Sequence, residues 1–191
     1  MFEGLKKIFK VTIDLKIQEN VFYKIDGVKI FTSSNFSDER GSLKKFYSSD
    51  IFSELAESIK QINFVSNNKI GQIRGMHYQS EKYNEAKFIV CLKGSLCDAF
   101  VDMRKNSKTY LSYDIHNLKG EVDEILYLPP GIAHGYQTLS EETEILYLHT
   151  DVYRPEDQQG INPFDPLINI KWPLECSQIS EKDKIVPLLK K

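Results

Sequence analysis

The chain has 191 residues with a formal net charge of −2, and apolar residues make up 41% of it against 27% charged. That length suits one domain, and the composition is that of a folded globular protein rather than a disordered tail, a collagen or a disulfide scaffold. No uninterrupted apolar run is long enough to span a bilayer, and the near-balance of charge supplies no basic field for nucleic acid.

Residues 1–19 are Lys-rich and weakly amphipathic, a pattern that fits a dimer arm or a frayed helix. They carry an early acid, Glu3, and lack an apolar core followed by a small-residue cleavage site, so the chain reads as cytoplasmic. Ser49 stands as an N-cap ahead of Ile51, Phe52, Leu55 and Ile59, whose helical spacing predicts one helix. The segment Ile73-Arg74-Gly75-Met76-His77-Tyr78-Gln79 has a glycine between an Arg and a His inside a strand pattern, a sign of a bulge or a close backbone approach. Strict alternation would put Arg74 and His77 on opposite faces, so they share a pocket only if the strand is irregular near Gly75.

Phe88–Leu92 and Leu96–Val101 flank Lys93-Gly94-Ser95 and predict a hairpin. Further strands are expected at Tyr110–Ile115, Glu124–Leu128 and Glu144–His149, bounded by turn formers such as Asn117, Gly120, Pro129-Pro130-Gly131 and Asp151. Ser180 ahead of Glu181-Lys182-Asp183 predicts a second, short helix. Many short strands and few helices point to an all-β sandwich or barrel, which builds ligand sites where inward side chains of several strands converge. Cys91, Cys97 and Cys176 are odd in number and without CxxC spacing, which fits free buried thiols in a reducing compartment.

Motifs narrow the chemistry mostly by what is missing. There is no GxxxxGK[ST], GxGxxG or GxSxG, which removes the P-loop, the dinucleotide fingerprint and the nucleophile elbow. His77, His116, His134 and His149 form no HxH or HExxH pair, so a metal would need scattered ligands. Taken singly, Arg74 reads as a surface Arg, His77 as a core His, Lys87 as a snorkelling strand Lys and Tyr147 as core.

Taken together and in order, the segments resemble the dTDP-4-dehydrorhamnose 3,5-epimerase family of nucleotide-sugar epimerases in the cupin superfamily. The resemblance runs from about Ile25 to Leu189. It rests on Phe36-Ser37-Asp38-Glu39-Arg40-Gly41, the Arg74–His77 segment, Lys87, Val101-Asp102-Met103-Arg104 with Ser107 and Thr109, and Pro130-Gly131-Ile132-Ala133-His134-Gly135. Glu144-Ile145-Leu146-Tyr147, Tyr153-Arg154-Pro155, Lys171-Trp172-Pro173 and Ile179-Ser180-Glu181-Lys182-Asp183 complete it.

The resemblance implies a cupin-type jelly-roll β-sandwich, a homodimer, without metal or other cofactor, acting on a nucleotide-diphosphate 4-keto-6-deoxy sugar. The reaction implied is epimerisation at C3, C5 or both, through an enolate, in surface-polysaccharide biosynthesis. It makes His77 the base, Asp183 its carboxylate partner, Lys87 the cation near the C4 oxygen and Tyr147 the acid. Arg40, Arg74, His134 and Lys182 match substrate-binding positions, chiefly for diphosphate and sugar, and Tyr153 matches a residue that stacks on the base. Asn68 is a retained base-contacting position, but Lys45, Ser66 and Gln158 depart from the family pattern, and the loop from Asn68 to Arg74 is short. A GDP- or CDP-linked sugar, or inversion at one centre only, is the alternative these departures imply; a metal-dependent cupin enzyme is a more distant one.

Overall fold

The computed structural model describes residues 15–17, 21–33, 35–49 and 58–190. The first half of the chain contributes β1 (Leu15–Ile17), β2 (Lys29–Ser33), β3 (Asn35–Asp38), β4 (Gly41–Lys44), β5 (Gln61–Asn67), β6 (Gln72–Gln79) and β7 (Lys87–Lys93). The second half contributes β8 (Ser95–Asp102), β9 (Tyr113–Lys119), β10 (Glu124–Leu128), β11 (Ile132–Thr138), β12 (Thr143–His149), β13 (Gln158–Gly160), β14 (Gln178–Ile179) and the single-turn helix α1 (Glu181–Lys184).

Two sheets form the sandwich. The first runs β1-β2-β10-β7-β12-β5; the second runs β13-β6-β11-β8-β9, with β14 added in parallel to β6. From β7 to β12 the chain passes back and forth between the sheets, with only the β8–β9 pair staying within one, as in a jelly roll. Among the described residues no helix is long and apolar enough to cross a membrane.

Apolar residues on both faces of both sheets account for the unbroken apolar runs in the sequence. Ile89 and Cys91 of β7, Leu126 and Leu128 of β10, and Leu96 and Phe100 of β8 meet between the sheets. The alternate residues Phe88, Val90, Ile125 and Leu148 form a second cluster on the outer face of the first sheet, packed by Phe46 and Ile59. Met76, Ala99, Val101 and Ala133 do the same behind the second sheet, where Ile170, Trp172 and Leu189 of the C-terminal segment pack on them.

Several expectations need correcting. The runs around Gly94 are strands but not a hairpin: β7 pairs with β10 and β12, β8 with β11 and β9. Gly94, at φ +74°, turns the chain from one sheet to the other, where a Cβ would come within 2.5 Å of the Ser140 hydroxyl. The strand expected from Tyr110 starts at Tyr113. The Asp102 carboxylate accepts from Ser107 Oγ at 2.6 Å and Thr109 Oγ1 at 2.7 Å, holding the preceding residues in a turn. Cys91 and Cys97 are buried free thiols, but Cys176 is exposed. In the N-terminal segment Leu15–Ile17 is a strand on β2, not helix; the rest of that segment, and most of the helix expected after Ser49, lie outside the described residues.

Candidate active site

The period of two that builds the core also builds the site. Lys87 shares the inward face of β7 with Ile89 and Cys91, Tyr147 and His149 share that of β12 with Ile145, and His134 shares that of β11 with Ile132 and Tyr136. At one end of the sandwich these inward positions turn from apolar to polar and line a cavity of about 430 Å³. Gln61, Asn63 and Val65 of β5, Arg74, His77 and Gln79 of β6, and Glu85, Tyr153 and Gln158 complete most of the wall.

Arg74 and His77 reach the same cavity because β6 is irregular between them. His134 pairs with His77 and Tyr136 with Arg74, so β6 fits three steps against two on β11. Gly75 sits at this point with φ +121°, and a Cβ there would lie 2.5 Å from Gly135 Cα and 2.8 Å from the His134 carbonyl oxygen. Only glycine permits that backbone approach. Met76 is thereby sent to the outer cluster while Arg74 and His77 both face inward.

Behind His77 stands Asp183. Its Oδ1 is 2.6 Å from His77 Nε2, and its Oδ2 accepts from the Gly75 amide at 3.2 Å. The Ser180 hydroxyl caps α1 by accepting from the Asp183 amide at 3.1 Å. Burial pushes the Asp183 carboxyl up, but the hydrogen bond and charge of His77, with the Gly75 amide, outweigh it and leave the group below its ordinary value. A carboxylate there accepts the Nε2 hydrogen, which leaves Nδ1 as the nitrogen free to take a proton.

Facing His77 from the other sheet are Tyr147 and Lys87. Burial, with Tyr136 and Asp98 adding to it, holds the Tyr147 phenol well above 10, so it carries its proton at neutral pH. The Lys87 ammonium is 2.9 Å from Glu85 Oε2. His134, whose ring is 5.5 Å from that of Tyr147, is held well below the usual histidine value by burial and by the charges of Lys87 and His77. It is therefore a neutral imidazole at pH 7, with Nδ1 3.4 Å from the fully buried Asp98.

At the rim, Tyr153 Oη donates to Gln158 Oε1 at 2.8 Å, and Lys182 Nζ donates to the same oxygen. Arg74 Nε donates at 3.1 Å to Asn67 Oδ1, which also accepts from Tyr136 Oη at 2.9 Å. Two of the sequence-predicted residues stand apart. Arg40 is 82% exposed on the β3–β4 hairpin, paired with Asp38 at 2.6 Å, and Asn68 is exposed just beyond β5; neither lines the cavity of the single chain. Sequence reasoning missed Gln61, Asn63, Asn67, Glu85, Tyr136 and His149 as site residues. Parity was the available signal for two of them: Tyr136 is two positions from His134, and His149 two from Tyr147. Among the described residues no three His, Cys, Asp or Glu side chains are grouped to hold a metal ion.

Comparison with known proteins gives the family and the fold. The family model described as dTDP-4-dehydrorhamnose 3,5-epimerase matches residues 22–191. The dTDP-4-dehydrorhamnose 3,5-epimerase of Shigella flexneri is 35% identical over 164 residues, covering 84% of this chain and 90% of that protein. A dTDP-4-dehydrorhamnose 3-epimerase of Streptomyces niveus is 32% identical over 168 residues, covering 86% of this chain and 81% of that one. In three dimensions, dTDP-6-deoxy-D-glucose-3,5-epimerase from Legionella pneumophila, solved with dTDP-4-keto-L-rhamnose, superposes with a TM-score of 0.84 at 32% identity, covering 92% of this chain and 93% of that one.

Proposed function

The chain belongs to the dTDP-4-dehydrorhamnose 3,5-epimerase family, and we propose that His77, Tyr147 and Lys87 carry out its epimerisation in the cavity between the sheets. The protein is an isomerase that epimerises a nucleotide-linked 4-keto-6-deoxy sugar in deoxysugar biosynthesis. A ketone at C4 acidifies the C–H bonds at C3 and C5. His77, through Nδ1, removes such a proton to leave an enolate, and Asp183 orients the ring and stabilises the imidazolium that forms. Lys87 stands beside the C4 oxygen, where the negative charge collects. Tyr147 returns a proton from the opposite face, and the centre inverts.

One observation supports this reading above the others: His77, backed by Asp183 of α1, comes from one sheet, and Tyr147 with Lys87 comes from the other, across a shared cavity. Inversion needs a base and an acid on opposite faces of the sugar, and mere binding does not.

Arg74 and His134 hold the sugar and diphosphate, Tyr153 stacks on the base, and Lys182, Gln158, Arg40 and Asn68 serve the nucleotide. A dTDP-linked sugar is the substrate, since the relatives are named for dTDP sugars. Lys45 and Ser66 favour the alternative, a GDP or CDP carrier. A panel of dTDP-, GDP- and CDP-linked 4-keto-6-deoxy sugars in D₂O, read by NMR, tests the assignment. Label entering C3, C5 or both of the dTDP sugar alone supports it; label entering only a GDP or CDP sugar transfers the activity to that carrier; label in none contradicts the reading.

The working form is a homodimer. Ile62 and Phe64, 60% and 58% exposed, extend the apolar outer face of the first sheet onto its edge strand β5, which pairs with β12 alone among the described residues. Covering such an edge with a second copy buries both the apolar side chains and the unpaired backbone groups.

A further inference from the structure

On the wall of the cavity formed by the first sheet, six residues are joined end to end. The Tyr153 amide donates to Gln61 Oε1 at 2.8 Å, and Gln61 Nε2 donates to Asn63 Oδ1 at 3.1 Å. Asn63 Nδ2 meets His149 Nε2 at 3.3 Å, and His149 Nδ1 meets Glu85 Oε1 at 2.9 Å. The other carboxylate oxygen of Glu85 is the one that lies 2.9 Å from Lys87 Nζ. Donor and acceptor roles follow from the ends inward. With its oxygen taken by Gln61, Asn63 presents its NH₂, so His149 Nε2 accepts and Nδ1 carries the hydrogen that goes to Glu85.

Glu85 is 8% exposed, a position where a carboxylate survives only if it is paired. Burial alone raises its pKa, yet the hydrogen bond from His149 and the charge of Lys87 bring it below the ordinary glutamate value. Lys87 and His149 are direct cross-strand partners on β7 and β12, so both reach Glu85 from neighbouring inward positions. A lysine has a flexible four-carbon stem and needs such an anchor to act as a placed charge.

We infer that Glu85 and His149 are positioning residues for Lys87: Glu85 fixes the ammonium in the cavity, and His149, braced by Asn63, fixes Glu85. The inference rests on the role given above to Lys87 and deepens it. A cation already in place when charge develops on the C4 oxygen loses nothing to reorganisation.

The test compares kcat and KM for dTDP-4-dehydro-6-deoxyglucose in D₂O across a double-variant cycle. Lys87→Ala is expected to lower kcat by about 10²–10³. Glu85→Gln, which keeps the shape and removes the charge, is expected to lower kcat about tenfold with KM changed less than about threefold. In the Lys87→Ala background Glu85→Gln should add less than about a twofold effect, because its action runs through the ammonium. His149→Ala should lower kcat several-fold, and His149→Asn, which restores a donor where Nδ1–H stood, should recover most of that loss. Retention of kcat by Glu85→Gln, losses that multiply in the double variant, or no rescue by His149→Asn would overturn the inference while leaving the role of Lys87 standing. Full turnover by Lys87→Ala would overturn that role, and this inference with it. Should Glu85→Gln fail to fold, the His149 pair of variants decides.

Discussion

His77 Nε2 and Asp183 Oδ1 lie 2.6 Å apart although 106 residues separate them in the chain. The same carboxylate accepts from the Gly75 amide, so one buried side chain on α1 fixes both the imidazole and the irregular backbone that presents it. Asp183→Asn should therefore lower turnover and also destabilise the fold at pH 7, by about 1.5–3 kcal/mol for a hydrogen-bonded charged group. The folded carboxyl titrates below its unfolded value, so its contribution is present above about pH 4 and is lost as pH falls through the folded pKa. Urea denaturation should show the two proteins far apart at pH 7 and converging toward pH 2. A constant gap at all pH values would contradict the role of the ionised group.

Tyr147 is buried, with its proton firmly held, across the cavity from His77. Tyr147→Phe should leave abstraction by His77 working, so solvent deuterium still enters at the carbon from which the proton is taken. Inversion should fall by about 10²–10⁴, the usual worth of a general acid. NMR of the recovered sugar distinguishes labelled but uninverted substrate from product; inverted product at the unaltered rate would remove Tyr147 from the mechanism.

Gly75→Ala combines a positive φ with a clash against backbone atoms of β11, which have little room to give. The expected loss is about 2–4 kcal/mol, from the disfavoured backbone region and from overpacking together. Arg74 and His77 would then no longer point to one cavity, and activity should fall with stability. Chemical denaturation measures the first effect and a turnover assay the second.

The apolar edge at β5 makes a prediction about assembly. Light scattering coupled to gel filtration should give a dimer for the natural chain and a smaller species for Phe64→Lys, a charge placed in the proposed contact. A dimer unaffected by Phe64→Lys places the contact elsewhere.

The fold was legible where patterning is local. Glu124–Leu128 is a strand with those ends, Glu144–His149 needs only Thr143 added, and Ser180 does cap a short helix. What failed was pairing: Phe88–Leu92 and Leu96–Val101 look like hairpin arms because a short glycine turn between apolar strands is the same string whether the chain reverses in one sheet or crosses to the other. The site was legible only in part. Gly75 flagged its own close approach from the Arg-Gly-Met-His string, and that irregularity is what unites Arg74 with His77. Glu85 and Asn63 carried no such signal: a polar residue just ahead of a strand reads as solvated until, as for Glu85, the fold is known to bury it, and Asn63 stays exposed, marked by its contact with His149. Lys87 and Tyr147, ordinary residues singly, became candidates through the family resemblance and not through any local pattern.

Solvent exchange by His77→Asn tests the central claim most directly. With dTDP-4-dehydro-6-deoxyglucose in D₂O, the natural protein should place deuterium at C3, C5 or both, and His77→Asn should place none above the uncatalysed background. Undiminished label in a folded His77→Asn protein would contradict the account, because the proton would then be leaving to some other base.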